Sequence, residues 1–456
     1  MMNVKSIYFL GIGGSGMSSQ ALWLKSRGYE VAGSDIAESK TTKNLRENGI
    51  PVQIGHKLGD LLKNCDLVVY SAAVKDDNEE LTFAVNSNKQ IITRAEMLAL
   101  MADEAKNLVA ICGSAGKSST TGFTAAVLNA AKKEPSVIVG GVFSGKESGM
   151  QTGKDDYFLL EADEYAKSFH SLRNIKLAVC TNIEEEHLDI FHNFEGVKNG
   201  FIQFFDNVRN DGVAVLCSDS AGVREIYSEI KCRKVSFGLT RDTDFRAENI
   251  CSRNGKTIFQ VCKHGIPLGE VEIKLIGEHN VLNALGAIVA GVELGIDFET
   301  AAKAVGEFNG IKRRIEKVAE INGISVFSDY AHHPTKVAAT LAALQKIKTG
   351  RIITLFQPHT FTRTRDFTEN FATALENGSD IVMITEIYPA REKPIEGVSE
   401  KSIAKFFRSE NSQIVAKCNA AKACAKIAES GDIIVVMGAG DIDGEIETLI
   451  SELKNG

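Results

Sequence analysis

Gly113-Ser114-Ala115-Gly116-Lys117-Ser118-Ser119-Thr120 is the stretch that decides the fold. It follows the apolar run Leu108-Val109-Ala110-Ile111-Cys112 and leads into a helical pattern from Thr121. Strand, glycine turn with Lys and Ser, then helix N-terminus is the layout of a nucleoside triphosphate loop. Backbone N–H groups and the positive helix end cradle phosphate, Lys117 adds a point charge, and the Ser118 hydroxyl can ligate Mg²⁺. The form is the short G-x-x-G-K-S, because the eight-residue pattern needs glycine at 111, where Ile stands. On spacing alone, a tight strand-to-helix turn with an exposed lysine is the competing reading.

Strand and helix patterns alternate on both sides of this loop, which predicts an α/β protein with parallel sheets. Its 456 residues suggest about three domains. The first block has strands near 7–10, 30–33 and 66–71. The second opens at 107, continues through strands at 157–160 and 177–181, and ends in a helix near 280–294. Within it the polar segment 241–269 reads as an antiparallel meander. The third has strands at 325–328, 351–356, 380–385 and 432–437. The expected domains are 1–104, 105–312 and 313–456.

Composition is that of an ordinary globular protein, with 44% hydrophobic and 24% charged residues. No apolar run reaches the ~20 residues of a membrane span, and the N-terminus reads as a strand rather than a signal peptide. Nine scattered cysteines without a C-x-x-C point to reduced thiols and a cytoplasmic setting, with Cys112, Cys180 and Cys262 in the core. A net charge of −7 argues against general nucleic-acid binding.

Gly11-Ile12-Gly13-Gly14-Ser15-Gly16 satisfies G-x-G-x-x-G between a strand and a helix, and Asp35 follows. Alone, this predicts a nicotinamide oxidoreductase. The physics requires only that backbone N–H groups hold a diphosphate, which a UDP-sugar also provides. Hydride transfer has no use for a triphosphate site, so the lysine-bearing loop favours the UDP-sugar.

Further candidates sit where predicted strands end. Glu161-Ala162-Asp163-Glu164 and the stretch from Asn182 to His187 place carboxylates and an imidazole where Mg²⁺ could bridge phosphates. Asn280 and Asn283, one helical turn apart, could read an adenine edge, although an N-cap explains Asn280 alone. Arg313-Arg314 could clamp a transferring phosphate. Asp329-Tyr330-Ala331-His332-His333-Pro334 and Gln357-Pro358-His359-Thr360-Phe361-Thr362-Arg363 each follow a strand of the third block, where open α/β sheets place ligands.

In order and spacing these markers resemble the Mur ligase family over nearly the whole chain. The resemblance implies an N-terminal Rossmann-like UDP-binding domain, a central P-loop ATPase-like domain and a C-terminal Rossmann-like domain. It implies an ATP-dependent amide ligase of peptidoglycan synthesis, a cytoplasmic monomer or homodimer. L-alanine would be joined to UDP-N-acetylmuramate through an acyl phosphate, with Mg²⁺. A murein-tripeptide recycling ligase is the related alternative.

Carried over, Gly113, Ser114, Ala115, Gly116, Lys117, Ser118 and Ser119 would hold the ATP phosphates. Asn280 and Asn283 would contact adenine, Arg314 the phosphates and Asp329 the ribose. Ser118, Glu161 and His187 would ligate metal. Gly11, Gly13, Gly14, Ser15, Gly16, Asp35 and Ser71 would hold the UDP-sugar. His332, His333, His359 and Arg363 would line the acceptor side, and Lys117, His187, Arg314, His332 and His333 would be catalytic. Three departures stand out. Ala115 replaces a polar residue, Tyr165-Ala166 replaces Ser-Asp, and Phe201 stands where several members carry a carbamylated lysine.

Overall fold

Runs such as Ser-Ile-Tyr-Phe-Leu at Ser6–Leu10 and Ile-Ile-Val-Val-Met at Ile433–Met437 lack polar alternation, so both strand faces must be covered. In the computed structural model, described over residues 4–71, 74–146, 148–240, 243–253, 255–390 and 392–455, such strands build three sheets. The first contains β1 (Ser6–Leu10), β2 (Glu30–Asp35), β3 (Val52–Ile54), β4 (Leu67–Tyr70) and β5 (Gln90–Thr93). Its order is β3-β2-β1-β4-β5 and its pairs are parallel. Strand order reverses between β1 and β4, so the glycine turn after β1 and Ser71 after β4 flank a crevice.

The second sheet contains β6 (Asn107–Cys112), β7 (Pro135–Ile138), β8 (Met150–Gln151), β9 (Lys154–Glu161) and β10 (Ile175–Cys180). It continues with β11 (Val208–Cys217), β12 (Arg233–Gly238), β13 (Phe245–Arg253), β14 (Lys256–Lys263) and β15 (Ile266–Ile273). The order is β15-β14-β13-β12-β11-β10-β6-β9-β7-β8. Parallel pairing of β6 with both β9 and β10 brings the loops after these three strands to one edge. The segment expected to meander forms the neighbouring strands β13, β14 and β15; Arg241, Asp242 and Asn254 lie outside the described residues.

The third sheet contains β16 (Glu316–Ile321), β17 (Ile324–Asp329), β18 (Ile352–Phe356), β19 (Ile381–Ile384), β20 (Ser412–Ile414) and β21 (Ile433–Met437). Its order is β16-β17-β21-β18-β19-β20; β16 runs antiparallel to β17 and the other pairs are parallel.

The chain folds into two compact units. One comprises Met1–Cys251, Ile258–Ile273 and Val281–Asn309; the other comprises Ser252–Thr257, Lys274–Asn280 and Gly310–Gly456. The first two sheets thus share a unit, and one hydrophobic cluster runs from Ile7, Phe9 and Trp23 to Leu108, Phe158 and Phe201. Trp23 meets Phe158 edge to face at 5.6 Å. The segments 252–257 and 274–280, read in the sequence as part of the middle block, pack with the third sheet's unit. Cys112, Cys180 and Cys262 are buried core residues as expected.

Phe201, on the helix Phe194–Phe205, is fully buried and meets Phe169 edge to face at 5.3 Å, while Phe169 stacks on Phe204 at 5.1 Å. A buried aromatic cluster therefore occupies the position at which the resemblance places a carbamylated lysine in several members. Phe201→Ala should lower the unfolding free energy by about 3–5 kcal/mol, measured by urea unfolding. A change below about 1 kcal/mol would mean that the cluster collapses around the cavity.

Candidate active site

The helix Lys117–Ala130 starts at Gly116, whose φ of 83° is left-handed and which offers no side-chain cap. Its first-turn N–H groups are thus left for an anion. Gly113 has φ 132°, and a Cβ there would stand 2.1 Å from Thr181 Oγ1. The loop is shaped by the end of β10. The Thr181 hydroxyl donates to the Ala115 carbonyl at 2.5 Å, and Ala115 N–H donates to Asn182 Oδ1 at 2.8 Å. Glu184 N–H donates to Ser114 Oγ at 2.9 Å. Ala115 acts here through its backbone, which Thr181 and Asn182 hold whatever its side chain. From the other side, Asn283 Oδ1 accepts from Thr120 Oγ1 at 3.2 Å and would lie 2.5 Å from a Cβ on Gly116. Asn283 thus braces the loop, while Asn280 Nδ2 donates to Ile276 O at 2.8 Å. Both Ser118 and Ser119 are buried in the helix's first turn.

Lys117 Nζ donates to Gly113 O at 2.6 Å and to the two oxygens of Glu164 at 2.9 and 2.7 Å. Burial alone would lower its pKa, but Glu164, helped by Asp163 and Glu161, outweighs burial and holds it above the ordinary value. Glu164 is 2% exposed, and its Oε1 lies 3.7 Å from His187 Nε2. His187 has left-handed backbone (φ 57°), and its ring meets Tyr165 edge to face at 5.2 Å. Glu164, Glu186 and His187 offer ligand atoms that all lie within 4.8 Å of one another. Glu161 ends β9 with Oε2 3.0 Å from where a Gly140 Cβ would stand. Sequence reasoning singled out Glu161 and His187 but not Glu164 or Glu186. The signal available was the run of acids itself, which does not say which member turns inward.

At the first sheet, Gly11 N and Ile12 N both donate to Ser34 O at 2.9 Å, and Gly13 N donates to Asp35 Oδ2 at 2.8 Å. Asp35 therefore holds the turn itself, and a Cβ on Gly13 would collide with its carboxylate at 2.8 Å. The helix Ser15–Ser26 begins at Gly14 with no side-chain cap and no acidic residue in its first turn. Ser71 flanks the turn, 3.5 Å from a Cβ on Gly11; the Ser15 side chain lies outside the described residues. Sequence reasoning missed Glu80, fully buried beneath the turn. It accepts from Tyr8 OH at 2.9 Å and from Ser34 Oγ at 2.6 Å, and meets His56 Nδ1 at 2.7 Å. Burial, then Glu80, raises the Tyr8 pKa above its ordinary range.

In the second unit, Asp329, 5% exposed, accepts from Ile315 N–H at 2.7 Å, Ala331 N–H at 2.7 Å and Thr340 Oγ1 at 3.2 Å. Burial raises its pKa against the opposing pull of Arg314 and these bonds. It anchors the strand end, with its oxygens engaged by the fold. Arg313 and Arg314 lie over the Tyr330 ring at 5.0 and 5.2 Å. His332 Nδ1 meets Tyr330 O at 2.8 Å, and the His332 and His359 rings are 5.7 Å apart. His359 Nδ1 accepts from Arg363 at 3.2 Å, and its ring stacks on Tyr388 at 5.7 Å. His333 starts the helix Pro334–Gln345 and its ring meets Phe367 at 4.7 Å. The loop after β21 closes it: Arg313 donates to Gly438 O and, at 3.2 Å, to Gly440 O, while Gln357 Nε2 donates to Asp441 Oδ1 at 2.8 Å. The sequence signal for this loop is Gly438-Ala439-Gly440-Asp441 directly after a buried strand.

Burial, then the Arg363 charge, pulls His332 well below the usual imidazole pKa and His359 to about 4. Below pH ~6.5 the unfolded chain binds protons that the folded one refuses, so stability is present above that pH and falls as acid is added. The thermal midpoint should hold above pH 7.5 and drop between about pH 6.5 and 4, with a smaller drop in His359→Gln. Identical acid profiles for the variant and the parent would overturn this account.

Residues 6–106 match the model "Mur ligase family, catalytic domain", 111–291 "Mur ligase middle domain", and 313–440 "Mur ligase, glutamate ligase domain". The chain is 38% identical over 458 aligned residues to the UDP-N-acetylmuramate–L-alanine ligase of Sorangium cellulosum, covering 99% of this chain and 97% of that one. The enzyme of the same name from Salinibacter ruber is also 38% identical, covering 99% of this chain and 96% of its own. The crystal structure of UDP-N-acetylmuramate-alanine ligase from Thermotoga maritima superposes with TM-score 0.85 at 28% identity, covering 99% of both chains. A murein peptide ligase from Psychrobacter arcticus shares the fold, with TM-score 0.74 at 24% identity and 99% of both chains covered. With a pinned phosphate loop, a carboxylate–imidazole cluster beside it and full-length relatives of one name, this chain belongs to the Mur ligase family.

Proposed function

We propose that this chain is a cytoplasmic, ATP-dependent amide ligase that joins L-alanine to the carboxylate of UDP-N-acetylmuramate in peptidoglycan precursor synthesis. The observation that carries the reading is the phosphate loop at the edge of β6, intact in a chain 38% identical over 99% of its length to ligases of that activity. Residues 1–104 bind the UDP-sugar, 105–312 bind ATP and 313–456 bind the amino acid. ATP transfers its γ-phosphoryl group to the carboxylate, giving an acyl phosphate and ADP. The L-alanine nitrogen then attacks the carbonyl carbon, the C–N bond forms and inorganic phosphate leaves.

The loop amides of residues 113–119 receive the ATP phosphates, with Lys117 exchanging Glu164 for them. By the family resemblance, Asn280 and Asn283 would contact adenine, and Arg314 the phosphates. The clustered oxygens of Glu164 and Glu186 with the His187 imidazole are donors that suit a hard divalent cation. With Ser118 and Glu161 they would hold Mg²⁺, which neutralises phosphate charge when bound. On the acceptor side, the Tyr330 carbonyl can only accept, so His332 Nδ1 carries the proton. Its Nε2 lone pair can then accept a hydrogen bond from the neutral attacking amine and orient it, because burial and the Arg363 charge keep the ring neutral. Arg363 and His359 orient the amino acid's carboxylate.

Mixing ATP, Mg²⁺, UDP-N-acetylmuramate and L-alanine should release ADP and UDP-N-acetylmuramoyl-L-alanine. ADP release with the murein tripeptide and none with L-alanine would assign the recycling activity instead. Lys117→Ala leaves Glu164 buried without its ammonium and should lower the thermal midpoint; the protein that remains folded by circular dichroism should lose about 10²–10³ in turnover, the size of one preorganised charge at the transition state. In the first sheet, a Cβ on Gly14 would have Gly11 O at 3.5 Å and Met17 Cγ at 3.8 Å as its nearest neighbours, so the fold tolerates it. Gly14→Ala should therefore keep its thermal midpoint and weaken UDP-N-acetylmuramate binding by calorimetry. Unchanged affinity would remove the diphosphate from this loop.

A further inference from the structure

Tyr165 and Ala166 stand where the resemblance places Ser and Asp, and the proposed reaction gives Tyr165 no task. Its place in the fold supplies one. Tyr165 opens the 3-10 helix Tyr165–Ser171 directly after Glu164. Its N–H donates to Asp163 Oδ1 at 3.2 Å and its carbonyl accepts from Ser168 Oγ at 3.0 Å, so the turn fixes its backbone. The ring then meets His187 edge to face, with centroids 5.2 Å apart and planes at 65°.

The direction of the His187 ring depends on that contact. Its backbone is left-handed, and its carbonyl accepts from Ile190 and Phe191 N–H at 2.9 and 3.0 Å. These bonds place the Cα and leave the side-chain torsions free. Glu164 Oε1 lies 3.7 Å from Nε2, too far for a hydrogen bond. Among the described residues neither ring nitrogen makes one. A metal-ligating imidazole is ordinarily aimed by a hydrogen bond from its second nitrogen to a carboxylate or a carbonyl. Here an aromatic ring stands in that place, beside a side chain 28% exposed and otherwise able to swing into solvent.

We infer that Tyr165 is a positioning residue that aims the His187 imidazole at the cation site it forms with Glu164 and Glu186. The inference rests on the proposed Mg²⁺ site and goes beyond it by naming what orients the nitrogen ligand. Glu164 and Tyr165 are consecutive, so one turn delivers both a carboxylate oxygen and the ring that holds the neighbouring ligand. An edge-to-face pair acts through the ring's quadrupole and its packing, so phenylalanine should serve as well. Tyr165 is 38% exposed, so its truncation opens no sealed cavity and the variant should fold.

Mn²⁺ binding to the full chain, read from the paramagnetic resonance of the free ion, tests this without turnover. The variants are Tyr165→Ala, Tyr165→Phe, His187→Ala and the double Tyr165→Ala/His187→Ala, each checked by circular dichroism. Tyr165→Ala should weaken Mn²⁺ binding about tenfold, the lower end of the loss expected when a metal-bound imidazole loses its outer contact. The Mg²⁺ concentration for half-maximal rate should rise similarly, with KM for UDP-N-acetylmuramate within twofold. Tyr165→Phe should stay within twofold of the parent. With His187 already removed, Tyr165→Ala should change nothing further. If Tyr165→Ala binds Mn²⁺ normally while His187→Ala loses it, the inference falls and the site reading stands. A loss in Tyr165→Phe equal to that in Tyr165→Ala would assign the effect to the hydroxyl and overturn the inference. So would an undiminished loss in the double variant, because the tyrosine would then act elsewhere. A parent that binds no Mn²⁺, or binds it as His187→Ala does, would remove the cation from this imidazole and the inference with it.

Discussion

Lys117 and Glu164 form the contact on which the candidate active site depends. An ammonium and a carboxylate are buried together at the edge of the second sheet, 2.7 Å apart. Burying an unpaired charge costs several kcal/mol, a cost the pairing offsets. Their pairing keeps Lys117 fully charged in the loop before any nucleotide is present. It also draws in His187, which lies against the same carboxylate. In the proposed reaction a phosphate entering the loop would compete with Glu164 for Lys117, and a displaced Glu164 would remain beside Glu186 and His187, whose donors suit a cation.

The same logic recurs at the first sheet with different groups. Asp35 caps the Gly13 N–H, so a donor of the turn is held by a carboxylate of the chain itself. Both glycine turns end central strands of parallel sheets, where neighbouring strand ends supply the braces. Thr181 and Asn182 do this for one loop, and Ser34 for the other. At position 115 the loop is held through its backbone by Thr181 and Asn182, so the hydrogen bonds there do not depend on the Ala115 side chain.

The third sheet uses burial in the opposite sense. There His332 and His359 are kept neutral, and arginines supply the positive charge. Tyr330 carries both Arg313 and Arg314 on its ring and turns its carbonyl to His332, so one residue positions two kinds of group. A neutral imidazole among guanidinium groups offers a lone pair beside positive charge, the combination that would suit both ends of an amino acid in the proposed reaction.

The sequence by itself determined the α/β class, the strand–turn–helix placement of both glycine loops and the strand ends that carry His187, His332 and His359. These follow from local patterns: unbroken apolar runs, glycine at fixed offsets and polar residues just beyond. It could not show that Glu164 rather than a neighbouring acid turns inward to Lys117, because consecutive residues in a turn differ in direction and not in composition. Nor could it show that Asp329 is consumed by backbone N–H groups, or that segments 252–257 and 274–280 pack with the third sheet's unit. Glu80 and the loop at Gly438 escaped for the same reason. Their partners lie far away in the chain, and only the packing of strands and helices brings Glu80 under Ser34 and Gly438 to Arg313.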